Sequence, residues 1–134
     1  MADNQLISRI QPAAVPASSA PFSQVVLDEH YAFLSGLVAA DFPAGIAVLG
    51  DVAAETHAVL DAIAAMLQEL NLEMEQMLRV DVHLVDLDDF DAMDAAYREH
   101  FPAGHYPART TTESRRLFGN SKVEITCQVK RNSA

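Results

Sequence analysis

The sequence holds a single cysteine, Cys127, and no tryptophan. One cysteine excludes an internal disulfide and suits a reducing compartment, so the expected location is the cytoplasm. No apolar run approaches the roughly 20 residues that cross a bilayer, so no membrane partner is expected. The first residues lack a basic start leading into an apolar block and do not read as a secretory signal. Basic side chains are scarce: nine Lys and Arg stand against nineteen Asp and Glu, a net charge of −10. A phosphate backbone is bound chiefly by cations, so nucleic acid is not expected as a partner. The chain has no glycine-rich phosphate loop and no dinucleotide fingerprint. Histidines 30, 57, 83, 100 and 105 show no metal-ligand spacing, and Pro102 and Gly104 prevent one helix from presenting His100 with His105. No metal site is expected.

What is present fits one α+β domain. At 134 residues, half of them apolar, the chain can bury one core. Residues 1–20 read as a flexible tail of Ala, Pro and Ser, and the domain as 21–131. PFSQVVLDEHYAFLSGLVA predicts two strands around a turn at Asp28-Glu29-His30. Gly36 in the second strand suggests a bulge or a close approach to the backbone. A Pro- and Gly-containing loop, 41–50, precedes the clearest helix. There Val52, Val59, Leu60, Ile63, Met66, Leu67 and Leu70 recur at helical spacing, with Asp51 as N-cap. MLRVDVHLVD alternates as a half-buried strand, with Leu78, Val80, Val82 and Leu84 inward. Phe90, Met93, Tyr97 and Phe101 mark a second amphipathic helix. A strand over 109–117, a turn at Gly119-Asn120 and a final strand, SKVEITCQVK, complete the chain.

The predicted order is β-β-α-β-α-β-β: a mixed sheet with two helices on one face. The other face carries Arg79, Asp81, His83, Glu124 and Thr126, too polar for a core and too apolar for plain solvent exposure. Such a face predicts a homo-oligomer.

The charge is uneven. Residues 1–108 hold three basic and seventeen acidic side chains, whereas 109–134 hold six and two. The C-terminal part therefore offers a local positive region suited to a small anion. Within it, Arg109 follows a rigid Tyr106-Pro107-Ala108 turn, and its planar fork matches a carboxylate. Glu124 lies on the polar face of the last strand between Val123 and Ile125. Its alternatives are acid–base work in a partly desolvated setting and a structural ion pair with Arg79. Cys127 reads as a small buried hydrophobe.

SQVVLDEHYAFLSG, the helix ending LQELNL, VDVHLVDLDDFDAMDAAYREHF, PART and KVEI, in this order, resemble the RidA/YjgF family of reactive-intermediate deaminases over about residues 20–131. The resemblance implies a chorismate-mutase-like fold and a homotrimer with sites between subunits. It implies hydrolysis of enamines and imines such as 2-aminoacrylate to 2-keto acids and ammonia, without metal or organic cofactor. By that resemblance Arg109 clamps the substrate carboxylate and Glu124 positions or activates water. Ser35 and Gly36 line the pocket, with Thr110 and Thr111 contacting the ligand. Phe22, Leu37 and Thr111 stand where the family usually has tyrosine, glutamine and cysteine, and Ala62 where it has asparagine, which makes the pocket more apolar. The alternatives are a non-catalytic trimer binding keto acids or other small carboxylates and, less favoured by the charge and by the lack of an acid–base histidine pair, an endoribonuclease.

Overall fold

The computed structural model describes residues 6–132. Six strands, β1 (Ser8–Ile10), β2 (Val25–Leu27), β3 (Tyr31–Val38), β4 (Met77–Leu84), β5 (Ala108–Glu113) and β6 (Val123–Lys130), form one sheet. Its order is β1-β2-β3-β6-β4-β5. All neighbours are antiparallel except β4 and β5, which run parallel with α3 (Phe90–Arg98) in the connection between them. A parallel pair needs such a crossover. The expected α+β class with helices on one sheet face is therefore found.

The long helix α2 (Val52–Glu69) begins where Asp51 accepts a hydrogen bond from the Ala54 amide at 3.0 Å. Its apolar stripe packs on the sheet: Val59, Leu60, Ile63, Met66 and Leu67 are all buried. Each such side chain contributes about 1.5–3 kcal/mol over leaving it in water. Opposite them lie Val80, Val82, Leu84, Val123, Ile125, Cys127 and Val129. Burial alternates strictly along β6, as its period of two requires. Among the described residues no helix is long and apolar enough to cross a membrane.

Three details differ from expectation. Residues 1–5 of the expected tail lie outside the described residues, but the remainder is docked. β1 pairs with β2, Val15 is buried, and the amides of Ala13 and Ala14 donate to the two oxygens of Glu69 at 2.8 and 2.9 Å. Composition hid this because the anchor is a carboxylate some 55 residues away. The 41–50 loop contains a short helix, α1 (Pro43–Ile46). In β4 the pairing with β6 shifts between Met77 and Arg79. The shift turns Met77 inward and leaves Leu78 exposed instead of in the core.

Two turns came out as read. Asp28 Oδ1 accepts from the amides of His30 and Tyr31, both at 2.7 Å, closing the β2–β3 turn. These backbone bonds hold the Asp28 carboxyl below its usual range. Gly119 and Asn120 both adopt positive φ, which glycine and asparagine tolerate best.

Candidate active site

The β3 bulge fixes one half of the site. Register with β6 shifts between Leu34 and Leu37, which brings the backbone of Gly36 against Glu124. A Cβ at Gly36 would stand 3.0 Å from Glu124 Oε2. This is the close approach that the glycine predicted. The same bulge reverses the alternation, so Leu34 and Leu37 both point into the core. Leu37, expected to line the pocket, is a correction: its side chain is fully buried away from Glu124.

Glu124 stands on the face opposite the helices, beside His83 of β4. The alternative pairing with Arg79 does not form. Arg79 instead bonds Asp81 at 2.9 Å and the Thr110 hydroxyl at 2.7 Å. Among the described residues the half-buried Glu124 carboxylate has no ion-pair partner. It lines a cavity of about 450 Å³ with Phe22, Gln24, Gly36, Asp41 and Phe118. Ser35 is not among the lining residues. Its hydroxyl donates to the Ser23 carbonyl at 2.6 Å and so braces the chain entering β2.

Arg109 is elsewhere. On β5 it pairs with the buried Val80, so its side chain turns to the helix face. There its guanidinium lies 2.7 Å from Asp94 Oδ1, 4.7 Å from the Tyr97 ring centroid and 5.5 Å from that of Phe90. These residues of α3 hold it by charge and by the faces of two rings. With Arg98, Tyr106 and Pro107, the side chains of Asp94, Tyr97 and Arg109 enclose a cavity of about 250 Å³. Burial pushes the Tyr97 hydroxyl up to about 12, against the opposing pull of Arg109. Tyr97 is therefore a neutral phenol at physiological pH. Thr110 faces the open side, while the Thr111 hydroxyl is buried without a partner among the described residues.

A single chain thus does not bring Arg109 and Glu124 together; they line different cavities on opposite faces of the sheet. Sequence reasoning also missed Gln24, Asp41, Phe118 and Asp94. Gln24 carried a readable signal, an amide at an otherwise apolar strand entrance. It is 6% exposed, with Nε2 unpartnered among the described residues.

Two other expectations concerned reactive groups. Cys127 is buried, and burial raises its thiol to about 12, which leaves it inert. Among the histidines, whose sequence spacing had pointed to no shared site, His57 Nδ1 and His100 Nε2 lie 2.9 Å apart between α2 and the end of α3. Forty-three residues separate them in sequence, so no local spacing announces the pair.

Comparison with known proteins places the chain in a family. A family model described as endoribonuclease L-PSP matches residues 12–130. The RutC family protein slr0709 of Synechocystis is 34% identical, over 88% of this chain and 92% of its own length. The human 2-iminobutanoate/2-iminopropanoate deaminase is 29% identical, over 91% of this chain and 89% of its own. The crystal structure of the YjgF gene product of E. coli shares the fold with a TM-score of 0.80 at 27% identity, covering 93% of this chain and 99% of that one. The match along nearly the whole chain leads to one conclusion: the protein belongs to the endoribonuclease L-PSP family, the RidA/YjgF proteins.

Proposed function

We propose that the chain is a hydrolytic deaminase of 2-imino acids and of the enamines that tautomerise to them. The observation that carries this reading is the Glu124 carboxylate, half-buried, without an ion-pair partner among the described residues and set in a cavity wall against Gly36. The human relative's name supplies the substrate class. Water adds to the electrophilic carbon of the protonated imine as Glu124 takes one of its protons. Glu124 returns this proton to nitrogen, then takes the hydroxyl proton as the C–N bond breaks and C=O forms; that last proton goes to the departing ammonia, and ammonium and the 2-keto acid leave. Addition and elimination involve no change of oxidation state, so the reading requires no cofactor. A carboxylate held in place turns this into a positioned reaction of one bound substrate with one water.

Arg109 is the group suited to that carboxylate. Because it faces away from Glu124 within one chain, the reading takes it from a neighbouring copy. The polar open face and the unpaired outer edge of β5 are the surfaces available for such assembly. A homotrimer in the cytoplasm, with one site per junction, is the arrangement proposed.

The test is competition with semicarbazide for imines released by an amino-acid oxidase. The wild type should suppress trapping, and Arg109→Ala and Glu124→Gln should not. Mixing the two inactive variants after dissociation and reassembly should restore part of the activity, since some junctions then carry both intact residues. Persistent inactivity of verified mixed oligomers would overturn the shared site. The contact between Arg109 and Asp94 favours one second reading, binding of small carboxylates without turnover. That reading predicts saturable thermal stabilisation by keto acids with no hydrolysis of any imine.

A further inference from the structure

Arg109 already holds a carboxylate. Asp94 Oδ1 lies 2.7 Å from its Nη2, while Asp94 Oδ2 accepts from Arg98 at 3.2 Å. One carboxylate is therefore shared by two guanidiniums, one four residues along its own helix and one on the neighbouring strand. The exposures separate the two contacts. Side chains of Arg109 and Asp94 are 21% and 25% exposed, against 65% for Arg98. Water and salt screen the exposed contact, which contributes little. The sheltered contact with Arg109 is the stronger.

A guanidinium presents five N–H donors in one plane. Asp94 engages one end of the Arg109 fork, and the rings of Tyr97 and Phe90 flank the group. The guanidinium borders the cavity that Arg109, Asp94 and Tyr106 line. A ligand carboxylate placed there would share its cation with a fixed negative charge a few ångströms away.

We propose that Asp94 is a specificity-determining residue that sets how tightly Arg109 holds carboxylates. It fixes the direction of the guanidinium and offsets its charge, so that 2-keto acids and 2-imino acids bind weakly and leave quickly. This rests on the reading of Arg109 as the carboxylate clamp. Substrate and product of imine hydrolysis carry the same carboxylate, so any group that grips it grips both alike. An unopposed arginine would retain the 2-keto acid. Asp94 lowers the hold on both and keeps the site free as product accumulates.

The substitution that separates charge from shape is Asp94→Asn, which keeps an oxygen to orient Arg109. Calorimetric titration with 2-oxobutanoate should show a Kd about tenfold lower than in the wild type, the gain from relieving one nearby like charge. KM for the corresponding imine should fall in parallel, and inhibition by 2-oxobutanoate should strengthen equally. Arg98→Ala works in the opposite direction: it leaves Asp94 less neutralised and should raise the Kd a few-fold. That effect should vanish in the Asp94→Asn background, a coupling that a merely structural role would not produce. If the wild type hydrolyses imines but Asp94→Asn binds 2-oxobutanoate no tighter, the role of Asp94 is refuted and the clamp stands. If only Asp94→Asn binds, Asp94 holds the site shut and the deaminase reading of the native chain falls. If neither protein binds or turns over, both readings fall.

Discussion

A methyl group added at Gly36 would stand 3.0 Å from Glu124 Oε2 and from Thr126 Oγ1, and 3.1 Å from Glu124 Cδ. Gly36 is not among the residues of positive φ, so its backbone accepts alanine without strain. The whole effect of Gly36→Ala therefore falls on the contact. Overpacking costs about 1–3 kcal/mol where neighbours are rigid, but here the neighbours are the far end of the half-buried Glu124 side chain and the Thr126 hydroxyl. The restricted unfolded chain returns about 0.4–1 kcal/mol. Net stability should stay within about 1 kcal/mol of the wild type, whereas the Glu124 carboxylate must move by several tenths of an ångström. A misplacement of about 1 Å costs about 100-fold in rate, so kcat for imine hydrolysis should fall about tenfold, with KM little altered. Urea unfolding and the semicarbazide competition, run on the same preparation, read the two quantities. A kcat within about twofold of wild type in a folded variant would refute the argument that the bulge exists to hold Glu124.

Glu55, fully buried, accepts from the amides of Gly50 and Lys122 at 2.8 Å each. Glu55→Ala leaves two donors unsatisfied at about 1–3 kcal/mol apiece, so urea unfolding should show a loss of about 3 kcal/mol or more, and a loss under about 1 kcal/mol would contradict it. His100 is held below its ordinary pKa first by burial and further by His57, with Asp61 opposing. The unfolded chain therefore takes up this proton more readily than the folded one. Stability should fall as pH drops below about 6.5, and His100→Gln should flatten the decline of Tm between pH 7 and pH 5.

Elements whose burial follows one local period were legible in the sequence. The α2 stripe and the alternation of β6 each express a single face against a single core. What stayed hidden depends on partners far along the chain or on a break in period. β1 is three residues long and is held through β2, with Glu69 anchoring the turn after it. Leu37 changed faces because one bulge resets the alternation. Asp94 resembled an ordinary i,i+4 partner of Arg98, and nothing local revealed that its other oxygen meets Arg109 across the crossover. The identities of Arg109 and Glu124 as candidates were readable, while their placement on opposite faces required the sheet.

The Glu124 cavity has two walls of unlike origin. One is the sheet, where Val38 pairs with Glu124 and Gly36 sits in the bulge beside them. The other is the connecting segment with Pro16, Ala17, Ser18 and Ala20, which has no strand partner of its own. Substitutions in the second wall reshape the chamber while leaving every ladder bond intact. Evolution, or a designer, is therefore free to vary what the chamber admits along a stretch of chain outside the sheet, and to leave the reacting groups untouched.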